Sequence, residues 1–244
     1  MRALSSAELL TVWELAANQA PGQRALALLA ACEDEASPNQ LAQLSIGESD
    51  ARLLALHERT FGPRLAAVSS CPACNETLEF EIGIAEIRLP SSSQPNEPIE
   101  IESMDYHLRF RLPNNLDIAS LDPAADNRSN RQQLLRRCLL GAQRAGAEVA
   151  ADDLPPDVVT AIADHMAEAD PQADVQFALA CPECGHNWNT ALDVTSFTWS
   201  ELNGRAIRLL NDIHVLALAY GWSEADILSM SAARRQIYLE LATQ

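Results

Sequence analysis

Two short cysteine motifs constrain this chain more than any other feature of its sequence. They are Cys71-Pro72-Ala73-Cys74 and Cys181-Pro182-Glu183-Cys184, and each lies between two segments with strand-like alternation. A C-x-x-C turn, here called a knuckle, supplies two of the four sulfurs of a tetrahedral zinc site. If the two knuckles meet in space, a metal closes the long intervening segment into a loop, and distant residues share one small domain.

A structural metal is favoured over the other uses of such cysteines. A redox dithiol is expected as one motif at a helix N-terminus, and structural disulfides belong to oxidising compartments. Four thiolates also hold iron in rubredoxin-like sites, so iron stays open as an alternative below zinc. A Cys₄ site has no open coordination position and therefore stabilises rather than catalyses. The predicted metal ligands are Cys71, Cys74, Cys181 and Cys184. His186 could replace one sulfur, but four cysteines already suffice.

Composition and charge exclude several functional classes. The chain has 244 residues, of which 48% are hydrophobic, and this is ample for a core. It has no apolar run near 18 residues, which predicts no membrane span, and the N-terminus does not resemble a signal peptide. We therefore expect a cytoplasmic protein. The net charge of −17 and a pI near 4.5 oppose binding to a phosphate backbone, so we expect no nucleic-acid partner.

The hydrophobic periodicity predicts an α+β protein that is mainly helical, with a small antiparallel β module around the zinc-ribbon-like Cys₄ site. We divide the chain into a helical region 1–64, the first knuckle with its hairpins 65–113, a helical insertion 114–173, the second knuckle and hairpin 174–195, and a helical region 196–244. These five segments are expected to form one interleaved domain.

Individual elements follow from local signals. We expect a helical segment over 5–31 that is broken near 18–22, and a short helix after Ser37. A turn at 45–47 then leads into a helix over 48–60. A loop over 90–96 and a hairpin turning at 103–105 follow. Asp117 or Ser120 is expected to cap a short turn, and 130–145 to form a helix. Further helices are expected from 156 to 170, from 196 to 220 with Gly221 in the left-handed conformation, and after Ser223 and Ser231.

No catalytic constellation is visible in the sequence. The histidines stand apart, and no nucleophile elbow, phosphate loop or H-E-x-x-H motif appears. With only 9 glycines, cofactor loops are not expected. Cys32 and Cys138 lie within apolar helical patterns and are interpreted as small buried hydrophobic residues. The sequence therefore indicates a protein that is not an enzyme.

Several phrases of the sequence resemble a known family. The most specific are the two knuckles, with Gly185-His186-Asn187-Trp188 after the second, and Ala219-Tyr220-Gly221-Trp222-Ser223 near the C-terminus. Supporting phrases lie at 8–14, 59–65, 78–80, 197–201, 224–228 and 234–239. Together they resemble small proteins encoded beside contractile phage-tail-like injection systems, which are related to the baseplate hub assembly proteins of T-even phages.

The resemblance covers nearly the whole chain and implies a structural or chaperone-like assembly role in a baseplate. Its implied partners are baseplate, hub or spike proteins, and its implied location is the cytoplasm or the assembled phage-tail-like particle. Two alternatives stay open at this point. One is a zinc-ribbon module for protein interaction or nucleic-acid machinery, and the other is a rubredoxin-like iron or redox protein.

Overall fold

A computed structural model of the chain describes residues 1–33, 35–89 and 97–242. Its helices are α1 (Ser6–Ala16), α2 (Pro21–Cys32), α3 (Pro38–Ala42), α4 (Ile46–Thr60), α5 (Ile84–Ile87), α6 (Asn115–Ala119), α7 (Asn127–Cys138), α8 (Pro156–Ala169), α9 (Val194–Tyr220), α10 (Glu224–Ser229) and α11 (Ala232–Ala242). Its strands are β1 (Arg64–Ser70), β2 (Thr77–Gly83), β3 (Ile99–Ser103), β4 (Tyr106–Phe110), β5 (Leu139–Arg144), β6 (Ala147–Glu148), β7 (Gln176–Ala180) and β8 (Asn187–Ala191). The predicted class, mainly helical with small antiparallel sheets, is confirmed. The loop predicted over 90–96 lies outside the described residues.

Serine caps begin three of the N-terminal helices, α1, α3 and α4. Ser5 accepts a hydrogen bond from the backbone N–H of Glu8, whose carboxylate accepts from the N–H of Ser5, so the pair forms a capping box. Ser37 makes the same arrangement at the start of α3. Ser45 caps α4, which therefore begins at Ile46 and includes two residues predicted as a turn. Each cap satisfies N–H groups that the helix itself leaves unpaired.

The two knuckles connect two separate antiparallel hairpins. In the first, β1 pairs with β2 from Arg64 opposite Gly83 to Ser70 opposite Thr77. In the second, β7 pairs with β8 from Gln176 opposite Ala191 to Ala180 opposite Asn187. The remaining strands form a four-stranded sheet in the order β3-β4-β5-β6, which shares no strand pairing with either hairpin. Within the described chain, the β structure is thus divided among three small sheets.

The helix predicted over 130–145 is wrong in its second half. Helix α7 ends at Cys138, and β5 follows at once, pairing with β4 from Phe110 opposite Leu139 to Tyr106 opposite Arg144. Ala145 and Gly146 have φ angles of 50° and 82° and form the turn into β6. Pairing with β4 satisfies the β5 backbone and buries Ala142, and this tertiary gain outweighs the local helical pattern.

The short helix α6 is also capped differently from the prediction. Asn114, rather than Asp117 or Ser120, is its N-cap, and its side chain accepts from the N–H groups of Leu116 and Asp117. Asp117 occupies the third helical position and completes a capping box. Asn is a strong N-cap because its side-chain oxygen reaches the first free N–H groups of the helix.

Two hydrophobic clusters hold the described parts together. The larger joins α1, α2, α4 and α9 with residues at the base of the knuckle hairpins, among them Leu65 and Ile82. The smaller lies between the four-stranded sheet and helices α7 and α8, with Leu108, Phe110, Val158 and Ile162 at its centre. The division into interleaved segments stays a prediction.

Close backbone contacts and buried polar side chains join the two clusters. A Cβ on Gly22 would lie 2.3 Å from the carbonyl oxygen of Asn115, so α2 and α6 can approach only because position 22 is glycine. The Asn115 side chain donates to Ser49 Oγ at 2.7 Å. The Asp170 carboxylate accepts from the backbone N–H of Gly47 at 2.9 Å. The start of α4 is thus fixed to the segment that precedes the second knuckle.

A second carboxyl near this junction, that of Asp50, gives a prediction about pH. Burial, followed by the charges of Asp193 and Asp170, raises the pKa of Asp50 to about 8. The fold therefore favours the protonated acid, and stability falls as pH rises from the unfolded pKa near 4 to about 8. We expect the stability of the Asp50→Asn variant, relative to the original protein, to be higher at pH 9 than at pH 5 by roughly 2 kcal/mol or more.

The measurement is urea denaturation of both proteins from pH 5 to pH 9. A constant difference between the Asp50→Asn variant and the original protein across this range would show that Asp50 does not titrate during unfolding. Glu14→Gln is a control, because Glu14 is exposed on α1. It is expected to follow the original protein at every pH.

The C-terminal helices end as their sequence predicts. Gly221 has a φ angle of 67° and ends α9 in the left-handed conformation. Ser223 caps α10 with a capping box that includes Asp226. Tyr220, Trp222 and Tyr238 then pack together, with Tyr220 stacked on Trp222 at 4.5 Å and Tyr238 edge-on to Trp222 at 4.8 Å.

None of the helices in the described ranges is long and apolar enough to cross a membrane.

Candidate metal centre

The first knuckle is a tight turn built by backbone hydrogen bonds. The N–H of Cys71 donates to the carbonyl of Glu76 at 2.8 Å, and the N–H of Asn75 donates to the carbonyl of Cys71 at 2.9 Å. Asn75 has a φ angle of 61°, which asparagine tolerates better than most residues. The turn therefore directs both sulfurs, those of Cys71 and Cys74, toward one point.

The second knuckle repeats this geometry. The N–H of Cys181 donates to the carbonyl of His186 at 2.9 Å, and the N–H of Gly185 donates to the carbonyl of Cys181 at 3.0 Å. Gly185 has a φ angle of 71° and occupies the position that Asn75 has in the first knuckle. The same chain geometry at two distant places explains why both knuckles present their sulfurs in the same way.

The fold brings the two knuckles together. Cys71 Sγ lies 3.6 Å from Cys184 Sγ, and Cys74 Sγ lies 3.6 Å from Cys181 Sγ. All four sulfurs lie within 4.8 Å of one another. A disulfide requires about 2.05 Å, so these are not disulfides. A tetrahedron with Zn–S bonds of about 2.3 Å has sulfurs about 3.8 Å apart, which agrees with the observed spacing.

Hydrophobic packing beneath the knuckles holds the hairpins in this position. Phe80 of β2 and Phe177 of β7 meet edge to face, with ring centroids 6.3 Å apart. Both rings pack against the larger hydrophobic cluster, together with Ala67 and Leu192. The relative position of the two hairpins, and with it the distance between their sulfurs, is therefore fixed by side chains that pack against the helices of the larger cluster.

The four-cysteine cluster is asymmetric in burial and in protonation. Cys71 and Cys181 are buried, whereas Cys74 and Cys184 are exposed. Burial opposes ionisation of Cys71, but hydrogen bonds from the N–H groups of Ala73 and Cys74 and from neighbouring thiols lower its pKa to about 7. At Cys74 the N–H of Glu76 favours the thiolate, yet the neighbouring sulfurs and burial raise its pKa to about 12.

The opposed pKa shifts of Cys71 and Cys74 reflect the close approach of the four sulfurs. Several sulfurs this close cannot all ionise, because like charges at such distances repel strongly. The pKa of Cys184 is also raised, since its hydrogen bond from the N–H of His186 is outweighed by other effects, including burial and the neighbouring sulfurs Cys71 and Cys181. A divalent ion removes this conflict by neutralising the thiolates, and thiolate sulfur is a preferred ligand of zinc.

The other candidate ligands of the sequence lie elsewhere. His186 is exposed and outside the four-sulfur group, and its ring stacks on Trp188 at 6.2 Å with an interplanar angle of 14°. Cys32 and Cys138 are buried and free, as interpreted from the sequence. Burial raises the pKa of both thiols to about 11. Neither is a reactive thiolate at neutral pH.

Among the residues that the structure describes, the four cysteines are the group of His, Cys, Asp and Glu side chains whose ligand atoms lie close enough to hold an ion. His57 is buried on α4 between the rings of Phe61 and Phe197, at 5.1 and 5.9 Å. Burial lowers its pKa, so it is neutral at physiological pH. It contributes packing to the core.

One polar site was not found from the sequence. The buried carboxylate of Asp117 accepts from Arg111 at 2.6 and 2.9 Å and from Arg137 at 2.8 Å. The sequence signal is only the proximity of Arg111 and Asp117, six residues apart, and such pairs are common on protein surfaces. This network joins Arg111, the residue after β4, to α6 and α7.

The fold and the cluster define a class: a mainly helical α+β protein with a four-cysteine, zinc-ribbon-like centre between two hairpins. Four sulfurs in this arrangement can hold a metal ion. The chain belongs to the family described as T4 bacteriophage base plate protein, whose model matches residues 7–198. This match includes both knuckles and confirms the resemblance to baseplate proteins.

No curated protein and no solved structure matches the chain. Family membership points to a structural or assembly role in a phage baseplate and to contacts with other baseplate components. It also points to a role that is not enzymatic.

Proposed function

We propose that this chain is a structural or chaperone-like assembly protein of a contractile phage-tail-like baseplate. The observation that carries the proposal is the family match over residues 7–198. Its partners in this proposal are the hub or spike proteins of the same particle. The protein is made in the cytoplasm and acts there while the particle assembles.

A structural Cys₄ zinc is the second part of the proposal. Its support is the donor set: four thiol sulfurs at the spacing of a tetrahedral zinc site, supplied by two matched turns. Zinc neutralises the thiolates and joins the hairpins β1–β2 and β7–β8. Because the four ligands fill the coordination shell, the site has no place for a substrate. This supports a stabilising role rather than a catalytic one.

The first test is a deletion of the gene in the source cell, with particles counted by electron microscopy and injection activity measured. We expect few complete particles, and rescue by the gene supplied on a plasmid. Immunoblotting of purified particles then separates a retained component from a chaperone that leaves. Normal numbers of complete particles in the deletion strain would overturn the assembly role.

The second test measures the metal directly. Elemental analysis of the purified protein is expected to find about one zinc per chain and little iron. A red protein with about one iron per chain would instead support the rubredoxin-like alternative.

A further inference from the structure

The sulfurs of the four-cysteine cluster meet in two matched pairs, which gives them a chemistry besides metal binding. Cys71 Sγ lies 3.6 Å from Cys184 Sγ, and Cys74 Sγ lies 3.6 Å from Cys181 Sγ. Each contact joins one knuckle to the other, and each combines a buried cysteine with an exposed one. We call these two contacts the cross-knuckle pairs.

The exposed cysteine of each cross-knuckle pair is the one that an oxidant in solution reaches. These cysteines are Cys74 and Cys184, whereas their neighbours Cys181 and Cys71 are buried. A sulfur that has been oxidised to a sulfenic acid condenses with a nearby thiol and forms a disulfide. The buried sulfur lies 3.6 Å away and is therefore in position to complete this second step.

The fold favours a disulfide between the knuckles over a disulfide within one knuckle. The two sulfurs of a knuckle extend side by side from one turn, whereas those of a cross-knuckle pair approach from opposite hairpins and face each other. Cysteines whose side chains do not point toward each other are bridged only if the backbone moves. Closing a cross-knuckle pair to the S–S length requires the hairpins β1–β2 and β7–β8 to approach by about 1.5 Å.

We propose that the four cysteines are an oxidative modification site, at which hydrogen peroxide converts the two cross-knuckle pairs into two disulfides. In the first step the O–O bond of the peroxide breaks, and the exposed thiol becomes a sulfenic acid as one water leaves. In the second step the buried thiol attacks this sulfur, the S–S bond forms, and a second water leaves. Each disulfide thus takes two electrons and two protons from two thiols and reduces one peroxide.

This inference goes beyond the proposed function, because it uses the thiols and not the baseplate role. A metal ligand must be a thiolate, so disulfide formation releases any ion that the four cysteines hold. A reducing compartment keeps such thiols reduced, and the modification therefore occurs where an oxidant is present.

The two disulfides replace the metal as the connection between the hairpins. They join residues that are 113 and 107 positions apart, and a crosslink over so long a loop strongly restricts the unfolded chain. We therefore expect the oxidised, metal-free chain to melt roughly 5 °C or more above the reduced chain in the presence of a chelator. A protein that passes from a reducing compartment into an oxidising medium would keep its hairpins joined.

The test treats the purified full chain with about two molecules of hydrogen peroxide per chain and then alkylates the remaining thiols. The sequence contains no lysine, so trypsin cuts only after arginine. The cysteines of the first knuckle then lie in peptide 65–88, and those of the second lie in peptide 145–205. Cross-knuckle disulfides link these peptides into one species, whereas disulfides within a knuckle leave them separate. Fragmentation of the linked species in the mass spectrometer assigns the sulfur pairs.

We expect the linked species to dominate, with Cys71 bound to Cys184 and Cys74 bound to Cys181. The same oxidation in urea with a chelator is the matched control, because unfolding removes the cross-knuckle contacts. Two residues then separate the cysteines of each motif, and the shorter loop closes more readily. The two peptides should therefore stay separate after oxidation in urea, each with its own internal disulfide.

Cys32 and Cys138 are internal controls in the same molecule. Both are buried outside the cluster and should be alkylated only after the protein is unfolded. Their incorporation into disulfides under native conditions would show that oxidation proceeds through unfolding, which would overturn the inference.

Three further results would contradict the proposal. They are disulfides within each knuckle of the native protein, crosslinks between two chains, and an oxidised chain that melts no higher than the reduced chain in chelator. The proposed zinc is tested separately, since a purified chain without zinc would refute the metal and leave the expected disulfides unchanged. The deletion experiment likewise decides the assembly role without bearing on the sulfur pairs.

Discussion

Replacing Cys71 or Cys181 with serine is expected to remove the metal and to lower the melting temperature by roughly 10 °C or more. Both sulfurs are buried, and each pairs with a sulfur of the other knuckle at 3.6 Å. A hydroxyl is a poor zinc ligand, so either variant leaves three thiols facing each other without a cation. Since binding of a structural metal is part of the folding free energy, its loss appears directly as instability.

The experiment compares metal content and thermal unfolding of the same preparations. Cys138→Ser is the matched control, because it makes the same chemical change at a buried cysteine outside the cluster. It is expected to keep about one zinc per chain, with at most a modest drop in melting temperature. Unchanged thermal stability of the Cys71→Ser variant, or loss of metal from the Cys138→Ser variant, would refute a structural metal at the four cysteines.

If the four cysteines hold the proposed metal, its loss should first affect the two knuckle hairpins. Hydrogen exchange of the Cys181→Ser variant is expected to rise in β1, β2, β7 and β8, because these hairpins have only two strands each. The four-stranded sheet should keep its protection, because it has its own hydrophobic cluster around Leu108 and Phe110.

Local sequence signals predicted the elements that local interactions determine. Each knuckle is a six-residue turn closed by its own backbone, so C-P-x-C followed by Asn75 or Gly185 was sufficient to identify it. The hairpin at 103–105 was found for the same reason. Met104 and Asp105 have φ angles of 50° and 69°, and they connect two alternating segments directly.

Long-range pairing explains what the sequence did not predict. Residues 139–144 carry an apolar pattern that fits a helix, and only β4, some thirty residues earlier, makes them a strand. The meeting of the two knuckles was inferred from chemistry, because four thiols at two sites suggest one metal. No such chemical rule identifies the partners of Asp117, since arginine and aspartate are common and mostly solvated.

The Asp117 network places one buried carboxylate between two guanidinium groups, those of Arg111 and Arg137. The side chain of Asp117 is 1% exposed, while those of Arg111 and Arg137 are 24% and 40% exposed. Burial alone would raise the pKa of Asp117, but the hydrogen bonds from Arg111 and Arg137 lower it instead. Asp117 therefore stays ionised inside the protein.

We expect Asp117→Asn to destabilise the protein by about 3 kcal/mol at pH 7, at the low end for a buried pair because the arginines are partly exposed. The variant leaves the Arg111 and Arg137 guanidinium groups facing a neutral amide. Because folding lowers the pKa of Asp117, the ionised carboxylate stabilises the folded protein at pH values above its unfolded-state pKa. This stabilisation is lost as pH falls through the pKa of Asp117 in the folded protein. The difference between the two proteins should therefore shrink in strong acid.

Urea denaturation at pH 7 and at acid pH measures both effects. Asp152→Asn is the matched control, since Asp152 also binds an arginine through both oxygens, at 2.6 and 2.8 Å to Arg136. Both side chains of that pair are more than half exposed, so water competes for them and the change in stability should be small. Equal losses in the Asp117→Asn and Asp152→Asn variants would mean that burial does not strengthen the Asp117 pairs. A larger loss at Asp117 means that α6 and α7 are held to the sheet by charge as well as by apolar packing.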